Sequence, residues 1–86
     1  MAISISKDVV AQELDGETVL LDLASESFFG LDEISTRVWQ LLQEEQSRVE
    51  VVDTLLQEYE VERDELEKDI AELLDRLDEA GLITLG

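Results

Sequence analysis

Cysteine, histidine and proline are all absent from the 86 residues. Without cysteine there is no disulfide framework, thiolate metal site or thiol nucleophile. Without histidine the commonest general base and the commonest metal ligand are missing. Without proline nothing marks a rigid linker. Positive charge is scarce as well: 6 Lys and Arg stand against 23 Asp and Glu, a formal net charge of −17. Lys7, Arg37, Arg48, Arg63, Lys68 and Arg76 are scattered and form no basic stripe. Affinity for nucleic acid and for anionic lipid both come largely from clustered cations, so the expected partners include neither nucleic acid nor membrane. A partner with a basic surface would be steered toward this chain. No apolar run approaches the roughly 20 residues of a membrane span. The start, Met1 to Lys7, lacks the layout of a secretory signal, and the expected location is the cytoplasm.

What is present fits one domain, residues 1–86. A hydrophobic fraction of 44% beside a charged fraction of 34% reads as a folded, helix-rich domain rather than a disordered tail. The first third alternates as strands do. Val9 to Leu14 and Glu17 to Leu23 flank Asp15-Gly16, a dipeptide suited to a two-residue hairpin turn. In the second run Val19, Leu21 and Leu23 share one face, and Leu20 and Asp22 the other. Ala24 to Ser27 reads as a turn, Phe28 to Leu31 as a third strand, and Ile3 with Ile5 as a candidate fourth. The adjacent Phe28 and Phe29 must face opposite sides of a strand. One should enter the core, and the other needs a cover, either a helix or a bound partner. Cover by the third helix is the simpler expectation.

From Asp32 the period becomes helical. Asp32 is an N-cap candidate, and Ile34, Val38, Leu41 and Leu42 form an apolar stripe with Trp39 beside it. Ser47 and Glu50 fit a capping box before a second helix that turns Val51, Val52, Leu55, Leu56 and Tyr59 inward. Asp64 and Glu67 repeat a capping pattern before a third, whose stripe is Leu66, Ile70, Leu73, Leu74 and Leu77. Gly81 suits a left-handed residue just past the helix end, and Leu82-Ile83 an apolar tail packed on the core. Strands segregated before helices predict α+β: a three-stranded antiparallel sheet followed by three helices, the winged helix-turn-helix layout.

Little chemistry fits this inventory. The serines have no histidine base, and Ser25, Ser27 and Ser47 are explained by turns and caps. Asp53, Glu58, Asp69, Glu72 and Asp75 read as a solvated helix face. The spacing around Asp15 makes no calcium loop, and the dispersed glycines make no phosphate cradle. No catalytic residue, metal ligand or cofactor is expected.

The segment from Leu20-Leu21-Asp22-Leu23 through Ser27-Phe28-Phe29-Gly30-Leu31-Asp32-Glu33 resembles the signature of PqqD-like proteins. Val38-Trp39-Gln40-Leu41-Leu42, the run from Val51 to Val61, and Asp69-Ile70, Leu73-Leu74, Leu77 and Ala80-Gly81-Leu82-Ile83 are similar to that family's three helices and its ending. The resemblance spans about residues 9–84. It implies a non-catalytic domain that binds the leader of a ribosomally made precursor peptide, added as a strand between the third strand and the third helix. Ser27, Phe28, Phe29, Gly30 and Leu31 would form the docking edge, with Gly30 suited to close approach of a second backbone. Asp69, Ile70, Leu73, Arg76 and Leu77 would form the opposite wall, although an ordinary pair with Glu72 is the simpler use of Arg76. The implied partner is a separate leader peptidase, as in lasso-peptide pathways, or else a radical SAM enzyme in quinone-cofactor biosynthesis. Three other readings compete. A winged-helix transcription regulator would have to push an acidic third helix between phosphates. A carrier protein would need an Asp-Ser-Leu attachment motif, which does not occur. A small enzyme would need a carboxylate mechanism that no motif supports.

Overall fold

Asp15 and Gly16 both take positive φ, 52° and 83°, as a two-residue hairpin turn requires. They join β2 (Val9–Leu14) to β3 (Glu17–Asp22). After a second turn, β4 (Ser27–Leu31) pairs antiparallel with β3, giving a three-stranded sheet in the order β2-β3-β4. Three helices follow: α1 (Glu33–Gln43), α2 (Arg48–Glu58) and α3 (Arg63–Glu79). The computed structural model describes residues 3–85, and its α+β order is the one the sequence predicts.

The two short ends behave differently from expectation. Ile3 to Ile5 forms β1, but it does not join the main sheet. It pairs antiparallel with β5 (Ile83–Leu85), in the register Ile3↔Leu85 and Ile5↔Ile83. The apolar tail is therefore a strand as well as a packing element, with Leu82 and Ile83 buried. A three-residue strand holds too little period to be read, and its partner lies at the far end of the chain.

The caps explain where the helices begin and stop. Asp32 accepts a hydrogen bond from the Ser35 N–H at 2.8 Å and starts α1. The Ser47 hydroxyl accepts from the Glu50 N–H, and the Glu50 carboxylate accepts from the Ser47 N–H, a complete capping box. The Ser47 N–H, chiefly, and the Ser47 hydroxyl hold the Glu50 carboxyl below its ordinary pKa. For α3 the expected cap from Asp64 and Glu67 does not form. The helix starts two residues earlier, with Glu62 at the N-cap and no side-chain hydrogen bond there. Its other end closes on Gly81 at φ 76°, with Leu82 N–H donating to the Leu77 carbonyl and Gly81 N–H to that of Asp78.

The helical stripes and the inner face of the sheet meet in one core that includes Leu20, Trp39, Leu55, Ile70, Leu74 and Leu77. The inward face of β3 is the one with Thr18, Leu20 and Asp22. Val19 and Leu23, 41% and 56% exposed, point outward. Asp22 tolerates burial because its carboxylate accepts from the Ala24 N–H and the Ser25 hydroxyl in the following turn. Arg37 clamps α1 to the end of α2 through two hydrogen bonds to Glu58, at 2.8 and 2.7 Å, and lowers the Glu58 carboxyl's pKa.

Candidate functional site

The register of the hairpin decides which backbone groups are free. In a two-residue hairpin the pair flanking the turn, Leu14 and Glu17, is hydrogen-bonded, and bonded and non-bonded pairs then alternate. The bond from the Leu23 N–H to the Asp8 carbonyl, 2.9 Å, fixes the same phase at the other end. Thr18, Leu20 and Asp22 therefore turn their N–H and C=O groups toward β4, where they meet Leu31, Phe29 and Ser27. The backbone groups of Phe28 and Gly30 point the other way, off the edge of the sheet. Among the described residues no strand pairs with that edge. The free margin thus offers two residues with their donors and acceptors at the correct spacing for a guest strand.

Side chains divide the strand in the perpendicular sense. Phe29 and Leu31 face inward, Leu31 fully buried and Phe29 half-buried against the core. Phe28 is 73% exposed on the outer face. The third helix does not cover it, which corrects the simpler sequence expectation. It stands in a row with Leu21 and Val10 across the sheet. Gly30 opens onto free space: a Cβ placed there would meet nothing within 4 Å. Ser27 sits at the entry of β4, its hydroxyl oxygen 3.0 Å from that of Ser25.

Beside the edge, α1 and α3 enclose a cavity of about 210 Å3. Its walls carry the aliphatic side chains of Ile34 and Val38 from α1 and of Leu66, Ile70 and Leu73 from α3. Asp32, Ser35, Asp69, Glu72 and Arg76 complete the lining. Arg76 makes no ion pair with Glu72. Its guanidinium lies 5.4 Å from the centre of the Phe29 ring, spanning from α3 to β4. Of the wall residues named from sequence, Asp69, Ile70, Leu73 and Arg76 come together here. Leu77 does not: it is fully buried in the core and lines no part of the cavity. The wall supplied by α1 went unread, because Asp32 and Ile34 were already accounted for as a cap and a core residue. The available signal was Ile34, an aliphatic residue in a first helical turn with no preceding turn for its side chain to lie on.

Chemically the site is a recognition surface. Among the described residues no group of three or more Asp and Glu is placed to hold a metal ion. The arrangement can pair a backbone along β4 and seat side chains in a hollow with aliphatic and charged walls.

The profile of the family described as "Coenzyme PQQ synthesis protein D (PqqD)" matches residues 17–83. No curated protein matches the chain at a significant level. Among solved structures, "TbiB1 in Complex with the TbiA(beta) Leader Peptide" is similar at 39% identity, covering 93% of each chain, with a TM-score of 0.89. "Lasso peptide synthetase B1 complexed with the leader peptide" is similar at 31% identity, covering 96% of this chain and 98% of that one, with a TM-score of 0.87.

Proposed function

The chain belongs to the PqqD family, and from that premise we propose that it binds the leader segment of a ribosomally synthesised precursor peptide in peptide natural product biosynthesis. It acts as a single non-catalytic domain, residues 1–86, in the cytoplasm, and presents the bound leader to a separate processing enzyme. The observation that carries this reading is the pair of unclaimed backbone positions, Phe28 and Gly30, on a sheet edge that Arg76, over Phe29, links to a groove of mixed aliphatic and charged lining. The guest adds as a strand to β4, and its side chains enter the hollow beside Asp69, Ile70, Leu73 and Arg76. Similarity over nearly the full length of two proteins solved with leader peptides supports the same assignment.

A lasso-peptide pathway, with a separate leader peptidase as partner, is the favoured setting because both solved relatives are leader complexes and one is described as a lasso peptide synthetase component. The family's description, coenzyme PQQ synthesis, favours a second setting, quinone-cofactor biosynthesis, for which the proposed partner is a radical SAM enzyme. DNA reading by α3 is disfavoured: Asp64, Glu65, Glu67, Asp69, Glu72, Asp75, Asp78 and Glu79 would meet the phosphates.

Titration calorimetry tests the proposal with two probes, the TbiA(beta) leader and the leader of a precursor encoded beside this protein. Saturable one-to-one binding of at least one is expected. Absence of heat with both at millimolar peptide, from protein shown to be folded by circular dichroism, rejects it.

A further inference from the structure

We infer that the groove selects a leader whose apolar anchor is flanked by a lysine or arginine, held by Asp69 and Glu72 with Asp32 on the facing wall. This rests on the leader-binding reading and adds the chemistry of the guest. The aliphatic walls, chiefly Ile34, Val38, Ile70 and Leu73, suit an apolar side chain. The rim is not neutral. Of its four charged residues three are carboxylates, and the fourth, Arg76, is turned onto the Phe29 ring.

Those three carboxylates are uncommitted. The ion pairs among the described residues use Glu58, Asp53 and Glu67 instead. Asp69 and Glu72 accept no hydrogen bond from a described residue. Asp32 uses one oxygen to cap α1, at 2.8 Å from the Ser35 nitrogen, and leaves the other free. Asp69 and Glu72 are three residues apart on α3, so they rise side by side from one face. A guest ammonium or guanidinium there would find unspent acceptors, whereas a guest carboxylate would meet like charge. The sign changes along the helix: Arg76 stands one turn past Glu72, at the Phe29 end. The cation of the guest therefore belongs toward Asp69, on the side of Glu72 away from Arg76.

The test uses the full chain, immobilised and exposed to a displayed library of random peptides at physiological salt. Enriched peptides are then synthesised, each with a version in which its Lys or Arg is replaced by Gln. The expected result is enrichment of Lys or Arg at a fixed spacing from an apolar residue. The double variant Asp69→Asn, Glu72→Gln should weaken the cationic peptide about two- to tenfold more than its Gln version. The remote double variant Glu44→Gln, Glu45→Gln, at the opposite end of α1, should change neither. Enrichment without a preferred cation, or equal losses in both double variants, overturns the inference while leaving leader binding intact. If the wild-type chain enriches no peptide, the leader-binding reading fails and this inference falls with it.

Discussion

Gly30 is the residue at which the edge can be tested most cleanly, because its N–H has no partner within the sheet. Proline is tolerated on an edge strand where the missing donor faces outward, so Gly30→Pro should fold. It should weaken leader binding about two- to tenfold, the worth of one hydrogen bond of about 0.5–1.5 kcal/mol. Unchanged affinity by calorimetry would remove β4 as the docking strand. Arg76 presents a different case. Its contact with Phe29 replaces the helix pair with Glu72 that spacing alone suggests, because an inward-facing aromatic ring was within reach across the groove. Exposed contacts of this kind are worth about 0.5–1 kcal/mol. Arg76→Ala should therefore lower the thermal midpoint by a few degrees, read by circular dichroism, and no change would show that the contact contributes nothing to stability.

At the level of elements, the three helices start in three ways. Asp32 and Ser47 supply side-chain acceptors to their helices, and α3 begins on Glu62 without one. The backbone at Glu62 is already extended, with φ −75° and ψ 138°, and the side chain is exposed. Glu62→Ser should therefore stabilise the fold by about 0.5–1 kcal/mol, visible as a higher urea midpoint with an unchanged slope. A lower midpoint would mean that Glu62 contributes through the helix dipole more than a hydroxyl cap can replace. Such a gain concerns the element that forms one wall of the groove, so leader affinity should not fall.

For the molecule as a whole, charge sets the conditions of stability. A net −17 is confined to a globule with a Cα radius of gyration of 12.4 Å, and few cations offset it. Self-repulsion must oppose the compact state. Screening shortens to about 3 Å in 1 M salt, from about 30 Å at 0.01 M. Raising sodium chloride across that range should therefore raise the thermal midpoint. A flat or falling midpoint would show that the carboxylates are already neutralised by local contacts, against the few ion pairs seen.

Much was legible before any coordinates. Asp-Gly between two alternating runs specified a hairpin, Ser47 with Glu50 a capped helix, and Gly81 a helix end, because each is decided by φ, ψ and hydrogen bonds within a few residues. The edge around Phe28 and Phe29 and part of the α3 wall were readable for the same reason, helped by family resemblance. Four features were decided only by tertiary structure. These are the choice of Leu20 over Val19 and Leu23 for the core, the pairing of β1 with β5, the α1 wall of the groove, and the placement of Arg76 on Phe29. Local periodicity states which residues share a face, but which face is buried depends on what another part of the chain brings against it.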